Sequence, residues 1–327
     1  MINIDKMGKG GVKDVPDNRD YRSELVMGSV TLPDEYSVRD KISRVENRGS
    51  SSSWVGQEFA YYAEVLNNVE TGNFIELSPR DIYSLIHLES GGSYIREGAK
   101  KLTESGIVLE VDAKSYETGN NPTEAFMRGR SDITDGEEEK GMLYWAKSYV
   151  KIQDNSFEAM KQAIYQNYGC VSGAIGNNKN WETAFVKPGE KDWGHAFYCT
   201  GWKIIDGIEY IEFVNSWGDN WGDSGYGYIS NDYFTAGDLM FSPWTIMDLP
   251  NQTYPKMQHK ILLLLESARI LIEKIKDFFL RKKKEGKQLI FFEKIDKNTS
   301  REQIKENIKN LLIKQGLKYV PSKKDNK

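Results

Sequence analysis

The chain has 327 residues, of which 39% are hydrophobic, 28% charged and 12% aromatic, with a net charge of −4. That is the composition of a globular protein long enough for one large domain or two. It excludes a secreted disulfide scaffold, because only Cys170 and Cys199 are present, and a normal membrane span, because the densest apolar run, Ile261 to Leu280, is broken by Glu266, Arg269, Glu273, Lys274, Lys276 and Asp277.

Residues 1–30 are polar and glycine-rich, with Asp17-Asn18-Arg19-Asp20-Tyr21-Arg22 in the middle, and read as an extended arm. No apolar run of signal-peptide length opens them, so the expectation is a soluble chain made in the cytoplasm. Ile42 to Glu46 reads as a short strand. A helix is expected from Trp54 to about Asn68, with Ser53 as its N-cap and Phe59, Tyr62, Ala63 and Leu66 on one face. Leu77-Ser78-Pro79 opens a second helix, proline suiting the first turn. Gly91-Gly92 follows, then a helix-like Tyr94–Glu104. Residues 112–141, rich in Gly, Asn, Asp and Glu, read as a long exposed loop. Phe157 to Tyr168 is an amphipathic helix stopped by Gly169. Cys170 to Ile175 is a strand, and Gly176 to Asp192 a polar insertion. Both cysteines lie in apolar, strand-like runs and read as small buried hydrophobes. Neither has zinc-like spacing, and no metal or cofactor is implied.

After Pro250 the composition changes. Of the 44 basic and 48 acidic residues, 20 and 9 fall in 251–327, which leaves +11 there and −15 before it. Ile261, Leu264, Ala268, Leu271, Ile275 and Phe278 form a heptad-like seam, widened by Leu262, Leu265, Ile272 and Phe279. A helix over roughly Pro255–Lys284 with so wide an apolar face needs cover, which makes residues 255–284 a candidate for homo- or hetero-oligomer contact. Gln288 to Phe292 reads as a strand. Ser300 and Gln303 form a capping-box pattern opening a last helix to Gln315. No basic pattern interleaved with aromatics points to nucleic acid.

Three motifs converge on one family. Asn47-Arg48-Gly49-Ser50-Ser51-Ser52-Ser53-Trp54 resembles the active-site segment of papain-like (C1-type) cysteine peptidases, Asn-Gln-Gly-Ser-Cys-Gly-Ser-Cys-Trp. Trp193-Gly194-His195-Ala196-Phe197-Tyr198 resembles the family's Asn/Asp-His-Ala-Val. Val214-Asn215-Ser216-Trp217-Gly218-Asp219-Asn220-Trp221-Gly222, running on to Gly225-Tyr226, resembles its Lys-Asn-Ser-Trp-Gly-x-x-Trp-Gly-x-x-Gly-Tyr. The last match is the most specific. Leu77–Leu85 with Gly91-Gly92, and Cys170–Ile175, add weaker likenesses, and Glu64 stands where the family has a Glu on its first helix. The separations of 141 residues from Trp54 to His195 and 161 from Trp54 to Asn215 fit the pattern.

The resemblance implies an α+β, papain-like two-lobed fold, a helical lobe plus an antiparallel β-barrel-like lobe, over residues 31–250, with the arm before it and a C-terminal helical extension, 251–327, after it. It also implies a cleft for a peptide or protein ligand, lined by Gly91, Gly92, Ser53 and Gly194. The chemistry of such a site needs a thiolate at a helix N-terminus, an imidazole to protonate the leaving amine, an amide to orient that ring under an indole roof, and donors for the oxyanion. His195, Asn215 and Trp217 match the second and third parts. Laid on without a gap, Trp54 stands at the nucleophile position and Arg48 at the oxyanion position. Ser53 precedes the nucleophile position by one residue, about 100° around a helix, and would face His195 only if the preceding loop were shorter. Two readings follow. One is a non-catalytic peptidase homologue serving as a binding or structural module of a larger assembly, such as a virion or cell-surface machine. The other is a cysteine-type peptidase for protein or cell-wall peptides, represented in an inactivated form.

Overall fold

A computed structural model of the protein describes residues 11–116 and 122–247. The chain divides after Gln252 into two units, and every described residue lies in the first. The extension 251–327, including the expected helix over 255–284, lies outside the described residues, as does the start of the arm.

The arm is not extended throughout. It holds a short strand, β1 (Gly11–Val12), and one helical turn, α1 (Ser23–Val26). The strand expected at Ile42–Glu46 is absent. Pairing falls earlier, at β2 (Tyr36–Ser37), and a 3₁₀ turn follows at Arg39–Lys41. Pairing resumes just after the segment, where Asn47 bridges Trp217 and the Gly218 N–H donates to the Glu46 carbonyl at 2.8 Å; Arg44 forms ion pairs with Glu46 and with Glu76, at 3.1 Å for the latter.

The helical half is built on α2 (Trp54–Thr71), closed by Gly72 in the left-handed region at φ 73°. Nearly every residue of its first three turns is buried, because the helix packs on both its own half and the sheet. Next come α3 (Pro79–Ile86), β3 (Ser93–Tyr94) and α4 (Ile95–Ser105). Ser78 caps α3 by accepting from the Asp81 N–H at 3.1 Å. The loop expected over 112–141 instead contains α5 (Glu124–Arg128) and α6 (Asp135–Gly141), the latter opened by a full capping box between Thr134 and Glu137. Ion pairs pin the segment down. Arg80 holds Asp132 through two bonds of 2.7 Å, and Arg130 reaches Asp81 at 2.8 Å.

The second half comprises β4 (Tyr149–Lys151), α7 (Phe157–Asn167), β5 (Cys170–Gly176), β6 (Phe185–Val186), β7 (Trp193–Ile205), β8 (Ile208–Val214), β9 (Tyr226–Ser230), α8 (Asn231–Thr235) and β10 (Met240–Ile246). The strands form one sheet in the order β4-β10-β5-β7-β8-β9-β6, with β2 added beside β7. All pairs are antiparallel except β6 with β9. The sheet does not close into the barrel-like form expected. Its outer strand β4 is occupied by the arm, since the Lys151 N–H donates to the Tyr21 carbonyl at 2.8 Å. The central strand β7 is buried on both faces. Ala196 and Tyr198 pack with α2, while Phe197 and Cys199 pack with α7 and the far aromatic residues, as the two-residue period of a strand requires.

Asp81 is fully buried and receives Lys101 at 3.0 Å, Arg130 at 2.8 Å and the Val108 N–H at 3.0 Å. Asp81→Ala leaves two cations and an amide without their acceptor, and is expected to cost about 3–5 kcal/mol. Urea denaturation reads this as a lower midpoint at constant slope; a change under about 1 kcal/mol contradicts the role assigned to this carboxylate.

Candidate functional site

The site forms where the N-terminus of α2 meets the start of β7 and the loop after β8. His195, near the start of β7, is 1% exposed. Its Nε2 donates to the Asn215 side-chain oxygen at 2.8 Å; that oxygen also accepts the Ser216 N–H at 2.8 Å. The Trp217 indole stacks on the imidazole, with centroids 4.9 Å apart and planes at 22°. The ring is thus oriented by an amide and roofed by an indole.

Trp54 begins α2 and is 1% exposed. Its indole meets the imidazole edgewise at 4.8 Å and 60°. With the proton of His195 on Nε2, Nδ1 is an acceptor. It is buried and has no hydrogen-bond partner among the described residues, and the same holds for Asn215 Nδ2 and Trp217 Nε1. Burial, and secondarily the Arg48 charge, hold the His195 pKa well below the usual imidazole range, against the pull of the Asn215 bond.

Ser53 does not cap α2. Its hydroxyl bonds to that of Ser51 at 2.8 Å, and Ser51 donates in turn to the Arg48 carbonyl at 2.8 Å. The serine run is therefore folded back on itself. Neither cysteine lies at the site. Cys199 lies on the His195 face of β7 but four residues on, about 13 Å along the strand, and Cys170 is opposite it on β5.

Arg48 is fully buried beneath the site. It donates to the Ser51 carbonyl at 2.5 Å, and its guanidinium carbon lies 4.6 Å from the Trp54 ring centroid. Burial pulls its pKa down to about 9, opposed first by Glu58. Glu58, also fully buried, accepts from the Tyr198 N–H at 2.9 Å and the Ser216 hydroxyl at 3.0 Å, and burial pushes its carboxyl well up.

The chain's own arm lies against β3 and the start of β7. β1 pairs in parallel with β3, Gly11 opposite Ser93 and Val12 opposite Tyr94. A Cβ on Gly194 would overlap the Gly11 carbonyl oxygen, and one on Gly11 would lie 2.9 Å from the His195 backbone N and C. Beyond it, Asp14 is anchored by the Trp244 indole N–H at 2.6 Å, the Arg96 N–H at 3.1 Å and its own N–H to Ser242 at 2.8 Å. Gly91 and Gly92, expected to line the cleft, sit in a turn at φ 87° and 73°; strand pairing falls on the two residues after them.

Two contributors were not apparent from sequence. Trp181, within the polar insertion, is fully buried and stands 5.5 Å from His195; an aromatic in a polar stretch was the one available signal. Glu124 of α5 ties the rim together, accepting from the Ser52 N–H at 2.7 Å and the Tyr83 hydroxyl at 2.6 Å, while Tyr83 receives the Gly92 N–H at 3.1 Å.

The sign of the His195 shift is testable. Above about pH 6.5 the imidazole is neutral both folded and unfolded; below it only the unfolded chain takes the proton, so this residue's share of stability falls with pH. Glu58 acts in the opposite sense, since the folded carboxyl keeps its proton to higher pH than the unfolded one. The clean readout is therefore the ring itself. Nitrogen-resolved NMR should show Nδ1 still unprotonated below the pH at which an unfolded imidazole takes its proton, about 6.5; an imidazolium signal appearing near pH 6.5 in the folded protein contradicts this.

The papain family cysteine protease model matches residues 32–239. A cysteine protease of Blomia tropicalis is 25% identical over 216 residues, covering 63% of this chain and 64% of that protein. Mouse cathepsin S is 26% identical over 211 residues, covering 60% and 58%. The chain thus spans about three-fifths of the length of these curated relatives. Among solved structures, xylellain, a cysteine protease from Xylella fastidiosa, superposes with a TM-score of 0.62 at 21% identity, covering 74% of this chain and 97% of that one. Digestive procathepsin L 3 of Tenebrio molitor gives 0.55 at 18%, covering 74% and 76%. With the family model spanning well over half of its length, and with the fold and the His195–Asn215–Trp217 arrangement in place, the chain belongs to the papain family of cysteine proteases.

Proposed function

We propose that this family member is catalytically inactive and works as a binding or structural module of a larger assembly, its cleft pre-filled by residues Gly11–Val12. The observation that carries this reading is the Trp54 indole against His195: the residue that meets the imidazole cannot attack a carbonyl. The Ser53 hydroxyl is engaged with Ser51, and both thiols lie in the strands behind. Arg48 is committed to the Ser51 carbonyl and the Trp54 face, which supports a structural use of the former oxyanion position. In this reading residues 31–250 are the binding domain, residues 255–284 carry the contact with other subunits, and a virion or surface assembly is one setting for them.

The parallel pairing of β1 with β3 supports a cleft that takes an extended strand. A ligand has to displace the arm. Gly11→Val places a Cβ against the His195 backbone and should expel it. A fluorescent peptide copying residues 8–18 should then bind Gly11→Val at least about tenfold more tightly than the unaltered chain. Equal affinity overturns the self-filled cleft.

A second reading, a peptidase represented in an inactivated form, draws on the intact His195–Asn215 bond and its indole roof. The two part on activity. The unaltered chain should give no turnover of fluorogenic peptides. Trp54→Cys with Arg48→Gln and Gly11→Val supplies thiol, amide and open cleft, and is the smallest set expected to restore it. Turnover by the unaltered chain that Ser53→Ala abolishes would show that the serine is the nucleophile.

A further inference from the structure

The only two cysteines of the chain stand directly opposite one another in neighbouring antiparallel strands, Cys170 of β5 and Cys199 of β7. Opposed residues present their side chains on one face of the sheet. Their Cα atoms lie about 4.5–5.5 Å apart, within the roughly 4.4–6.8 Å that a disulfide bridges. The thiols also interact: burial first, and then the hydrogen bond with Cys170, push the Cys199 pKa well up. Both are fully buried, and Met160 Sδ, 3.7 Å from Cys199 Sγ, completes an uncharged sulfur-rich pocket. Nothing in the peptidase-like site uses either group.

We propose that Cys170 and Cys199 are a redox couple that closes a cross-strand disulfide, with a low-molecular-weight disulfide as the oxidant. One cysteine thiolate attacks the small disulfide, forms a mixed disulfide and expels one small thiolate. The second cysteine thiolate then attacks the protein sulfur; the bond between β5 and β7 forms and the second small thiolate leaves. Two thiol protons pass to solvent, and two electrons reduce the oxidant. Because both sulfurs are buried, exchange proceeds while the strands are apart, during folding or transient opening. The closed loop contains the insertion bearing Trp181, and also Gly194 and His195, so the bond fixes the floor of the cleft. In a reducing compartment the pair stays as two packed thiols.

The test is refolding of the full chain in excess oxidised glutathione, followed by intact mass and unreduced peptide mapping. The expected product is a monomer lighter by two hydrogen atoms, with the peptides bearing Cys170 and Cys199 joined. Its melting temperature should exceed that of the reduced protein by about 5 °C or more, and reductant should abolish the difference. Cys170→Ala should show neither effect. Two free thiols after treatment, a glutathione adduct without the bridge, or a disulfide between two chains would each overturn the proposal; the mass result on the unaltered chain stands even if the variant fails to fold.

Discussion

The structure depends on the burial of Glu58. A carboxylate in the second turn of a helix whose first three turns are buried is costly unless every lone pair and charge has a partner. The Tyr198 N–H from β7 and the Ser216 hydroxyl from the loop after β8 supply the bonds, and Arg48 the nearest opposing charge. These partners come from the sheet half and from the loop before α2. Satisfying one carboxyl therefore sets how α2 lies on β7, where the Asn215–Trp217 loop runs, and where Arg48 must be. Arg48 and Glu58 are each disfavoured by burial and favoured by the other, so they form one unit. A glutamine at position 48 alone would remove the charge that favours ionisation of Glu58 and push its carboxyl further up.

The sequence carried the fold through its third motif. Asn215-Ser216-Trp217, with the following glycines, builds the roof and the turns that return the chain to β9, and such a run has few alternative uses. What sequence missed has physical causes. The 112–141 segment is polar because its helices are short and half-exposed, yet the buried Arg80 and Asp81 hold it by ion pairs whose partners lie roughly 50 residues away. Its one local signal was the Thr134/Glu137 capping box. Trp181 sits in a polar insertion and is buried only because the aromatic cluster formed by Trp193, Phe197, Phe213, Trp217 and Trp221 receives it. The bridge between the arm and β4, Arg22 with Lys151, is likewise a contact that no local pattern encodes.

The arm also shows how an undistinguished stretch becomes part of a site. Gly11 and Gly194 approach backbone to backbone, and neither position has room for a Cβ. Two glycines separated by most of the chain are each unremarkable in sequence; only their meeting gives them meaning. The same constraint explains why strand pairing moves past Gly91-Gly92. Those residues are used to make the turn, with φ values open to glycine, and Ser93–Tyr94 offer the edge instead.

The presence of His195, Asn215 and Trp217 does not by itself argue for catalysis. The imidazole is neutral, buried and in contact with Trp54, Trp181 and Trp217 at centroid distances of 4.8, 5.5 and 4.9 Å. Truncating such a ring opens a cavity in a packed aromatic cluster, a change that costs several kcal/mol whether or not the protein is an enzyme. Asn215 satisfies Nε2 and the Ser216 N–H, and without it both would be buried donors lacking an acceptor. Packing and hydrogen-bond satisfaction alone are enough to hold the arrangement. Under the reading proposed above the difference lies at position 54, where a buried indole meets the imidazole edgewise and supplies no nucleophile.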